Sequence, residues 1–136
     1  MPYALITGAS KGIGKAIAFE LAARKFDLIL VSRTSSELEK LADELKRRFN
    51  VNALYFATDL TQNDSPQKIV DWIKENKIPV SVLVNNAGYG LWGSVDELTL
   101  NDQLSMMQIN MHSLVKLSYL LFPDRKSTRL NSSHRT

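Results

Sequence analysis

The sequence holds six glycines, and all of them fall in two short segments: Gly8, Gly12 and Gly14, then Gly88, Gly90 and Gly93. Glycine serves where backbone must turn sharply or come close to another group. The first segment, Thr7-Gly8-Ala9-Ser10-Lys11-Gly12-Ile13-Gly14, follows an apolar run and opens a helical pattern. A glycine loop in that position can seat a pyrophosphate on the N–H groups of the helix N-terminus. A purely structural tight turn is the alternative. Spacing sorts the phosphate chemistries. A P-loop needs G-x-x-x-x-G-K-[ST], but Ala9 stands where its first glycine belongs and Ala16 follows Gly14-Lys15, so the Mg²⁺-binding hydroxyl is missing and ATP hydrolysis is a poor reading. The pattern T-G-x-x-x-G-x-G also departs from the common dinucleotide fingerprint G-x-G-x-x-G.

A second group of residues bears on what carries the pyrophosphate. A dinucleotide with a free ribose 2′-hydroxyl is held by a carboxylate about 20 residues past the glycine loop, at the end of the second strand. This chain reads Leu30-Val31-Ser32-Arg33-Thr34 there, with no acid. A guanidinium suits a 2′-phosphate through paired, charge-assisted hydrogen bonds. Ser32 and Thr34 add hydroxyls, and Lys11 in the glycine loop can reach the same phosphate. The pair predicts NADP(H) in preference to NAD(H); the plainer alternative is two solvated surface charges.

The elements that must position these groups follow from periodicity. Tyr3 to Thr7 reads as a buried strand, Gly12 to Arg24 as an amphipathic helix with Ile13, Ile17, Ala18 and Leu21 on one face, and Leu28 to Val31 as a strand covered on both sides. Ser35 to Phe49 reads as a helix capped by Thr34 or Ser35, with Glu37 or Glu39 favouring its N-terminus. Val51 to Ala57 is a third strand. Gln67 to Glu75 is a helix with Ser65 as its cap and Pro66 at its first position. Val80 to Val84 is a fourth strand, and the second glycine loop, Asn85 to Gly93, follows it. A long helix spans about Asn101 to Phe122, with Leu104, Met107, Met111, Leu114, Val115, Ser118, Leu121 and Phe122 on a core-facing stripe. Strand–helix alternation with short connections implies an α/β fold, a parallel sheet with right-handed crossovers and helices on both faces.

Placed on these elements, the motifs resemble the short-chain dehydrogenase/reductase family from Tyr3 to about Pro123. T-G-x-x-x-G-x-G matches its cofactor loop, Asp59-Leu60 after strand three its adenine contact, and Asn85-Asn86-Ala87-Gly88 after strand four its N-N-A-G motif. Asn110 stands at the spacing of its catalytic Asn. The resemblance implies a Rossmann-type domain over residues 1–123, truncated after about four strands and the long helix. It implies cofactor contacts from Gly8, Ser10, Lys11, Gly12, Ile13, Gly14, Arg33, Asp59, Leu60, Asn86, Ala87 and Gly88. Members that prefer NADP are similar at Lys11 and Arg33. Alternatives stay open at several positions: Asp59 as a helix cap before Thr61, Asn85 as a tie between strand ends, and Asn110 as a buried or helix-kinking polar residue. Tyr89, Leu91 and Trp92 line a substrate pocket or simply pack; His112 reads as a helix-surface residue. No metal site is expected.

The family's active site joins Asn to a Ser, a Tyr acting as general acid and a Lys four residues after it, one helix turn apart. Here Tyr3 is followed four later by Thr7, Tyr55 by Asp59, Tyr89 by Gly93 and Tyr119 by Pro123. The chain therefore carries Asn110 alone of that group, and by itself is expected to be inactive. Further strands follow in the family; without them strand four exposes an apolar edge, an aggregation hazard.

Composition narrows the rest. The 136 residues are 44% hydrophobic and 23% charged, as in an ordinary soluble domain. No apolar run approaches the ~18 residues of a membrane span, and the N-terminus lacks the basic n-region of a secretory signal. The lack of cysteine excludes disulfides, thiolate metal sites and a Cys nucleophile, and is compatible with a cytoplasmic location. The net charge of +3 belongs to the end: from Asp124 on there are four basic residues and one acid, leaving thirteen of each sign before it. A neutral body has no electrostatic drive toward nucleic acid. Residues 124–136 read as a disordered basic tail or a non-native one, because Asp124 to His134 resembles a translated sequencing adapter. The leading expectation is the N-terminal part of an NADP(H)-dependent oxidoreductase acting on a carbonyl or alcohol, a homo-oligomer when intact. The alternatives are a non-catalytic dinucleotide-binding fragment and, resting on the tail alone, a nucleic-acid binder.

Overall fold

A computed structural model describes residues 3–86, 100–101 and 114–122. Strands β1 (Tyr3–Thr7), β2 (Asp27–Ser32), β3 (Ala53–Ala57) and β4 (Val80–Asn85) alternate with helices α1 (Gly12–Ala23), α2 (Ser35–Phe49) and α3 (Ser65–Glu75), and α4 (Leu114–Leu121) comes last among the described elements. The four strands form one parallel sheet in the order β3-β2-β1-β4. The chain thus steps outward from β1 to β3 and then crosses to the other side of β1. The switch point falls between β1 and β4, at whose C-terminal ends parallel sheets of this kind bind ligands.

The period-2 alternation of the strands divides the core cleanly. Ala4, Ile6, Leu28, Leu30 and Ala53 face one side, against Ala18 and Ala22 of α1 and Leu38, Leu41, Ala42 and Leu45 of α2. Leu5, Ile29, Val31 and Leu83 face the other, against Ile69, Val70 and Ile73 of α3 and Leu117 of α4. Every residue from Leu28 to Val31 is fully buried, as expected of a strand with helices on both faces. β4 carries an irregularity: Tyr3 pairs with Val80 but Ala4 pairs with Val82, so Ser81 is the extra residue of a bulge. One extra residue flips sidedness. Val80 accordingly packs with the α3 face while Val82 and Val84 pack with the α1 face.

Four expectations need correction. Ser65 is not the cap of α3 but its first residue; Asp64 holds the cap position without a side-chain bond, and Pro66 is the second residue. β3 begins at Ala53 rather than Val51, because the Asp27 carboxylate takes the Asn52 N–H at 2.9 Å and ladder pairing starts only with Leu28 and Ala53. Ile13 lies off the core face of α1, 71% exposed, while Gly14, Ala18 and Ala22 are buried. On α4, Val115 is exposed and Leu117 fully buried; the two lie about 200° apart around a helix, so the inward stripe there runs through Leu117. Leu100 and Asn101 are helical, as expected, and most of the long-helix stripe lies outside the described residues.

Candidate functional site

Two left-handed glycines shape the loop after β1: Gly8 has φ 64° and Gly12 φ 54°. Between them Ala9 is buried, and its N–H reaches the Val31 carbonyl of β2 at 3.1 Å, so the loop continues the sheet for one more residue. Gly14 has a different reason to be glycine. A Cβ there would drive into the Gly8 carbonyl, which is backbone and cannot swing away, and into the Asn86 amide. The first turn of α1 therefore packs directly on the loop that precedes it.

The two sides of the switch point are joined by one buried hydroxyl. Thr7 Oγ1 donates to Asn85 Oδ1 at 3.1 Å and accepts from the Asn86 N–H at 2.9 Å. The Asn86 Nδ2 then donates to the Gly8 carbonyl at 3.3 Å. Asn85 thus ties strand ends together, one of its two expected roles. Asn86 also makes a side-chain latch onto the glycine loop, which spacing alone did not suggest.

The N-terminus of α1 suits an anion. Lys11 occupies its cap position in an extended conformation and gives no side-chain cap, and the first turn holds no acid. The leading N–H groups of such a helix have no intrahelical partner and carry its positive end. Nothing stands within 4 Å of the place a Gly12 Cβ would take. Backbone donors, left-handed glycines and open space are the donor set a pyrophosphate fits. Ser10 is half-buried in the same loop and Ile13 projects beside it.

Charged groups stand outside this cradle. Arg33 follows β2 and is exposed. Lys11 reaches across to the first turn of α2, its Nζ 3.8 Å from Glu37 Oε2. Asp59 follows β3. Burial pushes its carboxyl up, but hydrogen bonds from Thr61 Oγ1 and N, at 2.7 and 2.9 Å, and the nearby Arg33 charge outweigh this and hold it below the ordinary value. The Thr61 bonds are those of the capping alternative, though what Asp59 closes is a turn, since α3 starts at Ser65. Ser65 is buried and braces the segment: its hydroxyl accepts from Thr58 Oγ1 at 3.1 Å and donates to the Asp59 carbonyl. The Leu60 side chain is buried in the α3 face of the core.

The glycine loop, Arg33, Asp59 and Asn86 therefore all leave the C-terminal ends of the parallel strands. Ala87, Gly88 and Asn110, with Tyr89, Leu91, Trp92 and His112, lie outside the described residues. Thr7, Ser65 and Glu37 are the residues whose part was missed. A hydroxyl as the last residue of a buried strand was the available signal for Thr7. The chain order of Ser65 and Glu37 gives no hint of their partners.

Comparison with known proteins agrees with this geometry. The family model for short chain dehydrogenase matches residues 2–129. A very-long-chain 3-oxoacyl-CoA reductase of Vanderwaltozyma polyspora is 36% identical over 98% of the chain and 39% of its own length. An NADP-dependent 3-hydroxy acid dehydrogenase of Schizosaccharomyces pombe is 34% identical over 88% of the chain and 47% of its own length. Among solved structures, a Sphingobium yanoikuyae short-chain dehydrogenase in complex with NADPH superposes with TM-score 0.82 at 30% identity, covering 92% of this chain and 48% of that one. An alcohol dehydrogenase from Thermococcus sibiricus complexed with 5-hydroxy-NADP gives 0.83 at 33% identity, covering 94% and 55%. The chain spans about half, or less, of the length of these relatives.

Proposed function

Because the chain belongs to the short chain dehydrogenase family, we propose that it is the cofactor-holding part of an NADP(H)-dependent oxidoreductase acting on a carbonyl or alcohol. The observation that carries the cofactor choice is the end of β2, where Ser32-Arg33-Thr34 has no carboxylate and Lys11 extends from the glycine loop toward the helix that follows. Solved relatives with NADPH and 5-hydroxy-NADP support it. In the proposed arrangement the α1 N-terminus and the loop from Gly8 to Gly14 hold the pyrophosphate, and Arg33 and Lys11 hold the 2′-phosphate. Asp59 and the Leu60 backbone meet the adenine, and Asn86, Ala87 and Gly88 pass close to the ribose. The nicotinamide, when bound, supplies or accepts the hydride exchanged with the substrate carbon. Asn110 is proposed to hold a water in the proton relay that serves the substrate oxygen.

The names of the relatives support a 3-oxo or 3-hydroxy acyl compound as the first substrate class to assay. A cytoplasmic location and a homo-oligomer when intact belong to the same reading, with residues 124–136 as a tail outside the domain; sequencing the gene across the codons for Phe122 to Thr136 tests that tail. A second reading is dinucleotide binding without turnover. Titration with NADPH and NADH tests what the two readings share. Arg33→Ser removes charge-assisted hydrogen bonds worth about 1.5–3 kcal/mol, so NADPH affinity should fall about 10- to 100-fold and NADH affinity should hold. Equal affinity of the wild type for both dinucleotides would refute the cofactor assignment.

A further inference from the structure

The acid that faces Lys11, one of the two cations assigned to the 2′-phosphate, makes no cap at the start of its helix. Glu37 is the third residue of α2, and Thr34-Ser35-Ser36-Glu37 has the residue types of a capping box. The box is not made. Thr34 gives no side-chain cap, and its N–H turns to Ser32 Oγ at 3.4 Å. Glu37 Oε1 is buried without a hydrogen-bond partner among the described residues. Its other oxygen faces Lys11 Nζ at 3.8 Å, across from the glycine loop. So a carboxylate, one of its oxygens shielded from water, stands where α2 begins, four residues past Arg33, and engages one of the two cations assigned to the 2′-phosphate.

We propose that Glu37 is a specificity-determining residue, an internal counter-anion that holds Lys11 in the cofactor-free protein and is exchanged for the 2′-phosphate when NADP(H) binds. The inference rests on the NADP(H) reading above. Two effects follow from the geometry. Lys11 must leave Glu37 before it can serve the phosphate, and the phosphate then sits beside a like charge. Both act against the 2′-phosphate and neither touches a dinucleotide that lacks it, so Glu37 narrows the preference that Lys11 and Arg33 create. The Lys11 side chain is 79% exposed, so the pair itself is weak and the exchange easy.

The test measures dissociation constants of the 136-residue chain for NADPH, NADH and adenosine 2′,5′-bisphosphate, with no turnover required. Glu37→Gln should tighten NADPH and adenosine 2′,5′-bisphosphate about two- to fivefold, the range an exposed ion pair sets, and leave NADH unchanged. In a Lys11→Met background the gain should shrink to less than half. Circular dichroism and thermal melting of all variants exclude a folding defect, and Glu37→Asp, which keeps the charge but draws the carboxylate back from Lys11, should show a smaller gain than Glu37→Gln. Weaker NADPH binding by Glu37→Gln would overturn the proposal and make Glu37 a support for Lys11. An equal change for NADH, or no change at all, would overturn it too. If the wild type itself shows no preference for NADPH, the cofactor reading fails and the inference falls with it; if that preference stands and Glu37→Gln does not raise it, the inference alone fails.

Discussion

Thr7→Val is the most searching single change for the site. Valine keeps the shape and the β-branched strand preference of threonine but removes Oγ1, and with it the bonds to Asn85 Oδ1 and the Asn86 N–H. Thr7 is fully buried, so water cannot replace the hydroxyl. Each lost bond is worth about 1 kcal/mol net, and a backbone N–H left without its partner adds about as much again. The extra apolar group of valine returns somewhat less than 1 kcal/mol. The expected loss is about 2 kcal/mol, which for a chain of this length lowers the melting temperature by about 6–10 °C.

Thr7→Ser is the control that separates hydroxyl from methyl. It keeps both hydrogen bonds and deletes one buried methyl, at a cost of about 1 kcal/mol. Urea unfolding followed by circular dichroism should therefore rank wild type above Thr7→Ser and Thr7→Val last. Affinity for dinucleotide sharpens the test. The hydroxyl fixes Asn86, and Asn86 fixes the Gly8 carbonyl under the proposed pyrophosphate. Thr7→Val should weaken NADPH and NADH alike, in contrast to Arg33→Ser, and Thr7→Ser should weaken neither. A Thr7→Val protein as stable as Thr7→Ser, with unchanged affinity, would refute the argument that this hydroxyl joins the two sides of the switch point.

Two further expectations concern the same loop region. Gly14→Ala should destabilise the chain more than Gly12→Ala in denaturant titration, although Gly12 has the positive φ: alanine at Gly12 meets open space and costs about 1–2 kcal/mol in backbone conformation, whereas at Gly14 it collides with the Gly8 carbonyl. Asp59, held below its ordinary value of 3.8, gives stability that is present above that pH and lost as pH falls through the lower folded value, so the advantage of wild type over Asp59→Asn should shrink between about pH 5 and about pH 2; an advantage that stays constant across that range would contradict it.

Reading this fold from sequence works where one physical demand decides the residue. Leu28-Ile29-Leu30-Val31 reads as a strand covered on both faces and is one, and Gly8, Gly12 and Gly14 mark a sharp turn into a helix, with Gly14 pressed against the Gly8 carbonyl. It fails where a side chain has two uses. Ser65 has the type of a helix cap, but its hydroxyl is taken by Thr58 and Asp59, so Asp64 stands at the cap. Ile13 has helical spacing with Ile17, but the first turn of α1 turns Gly14 inward against the Gly8 carbonyl and leaves Ile13 outside. The bulge at Ser81 is invisible in a strand of alternating valines, since register depends on the neighbour. Glu37 is the extreme case: its type and position announce a capping box, and only the fold shows that its partner comes from the glycine loop 26 residues earlier.

These magnitudes divide the site into a fixed part and an exchangeable part. The Thr7 hydroxyl, the Asn85 and Asn86 side chains and the Gly8–Gly14 contact are buried or half-buried, and disturbing any of them costs a sizeable fraction of the 5–15 kcal/mol that holds a domain folded. They join the ends of β1 and β4 before any ligand arrives. The charges around it, Lys11, Arg33 and Glu37, sit at or near the surface, where an ion pair is worth about 1 kcal/mol or less. A binding dinucleotide can rearrange the second group at little cost and cannot afford to rearrange the first. Substitutions in the fixed part should therefore weaken every dinucleotide together, while substitutions among the charges should change only the choice between a 2′-phosphate and a 2′-hydroxyl.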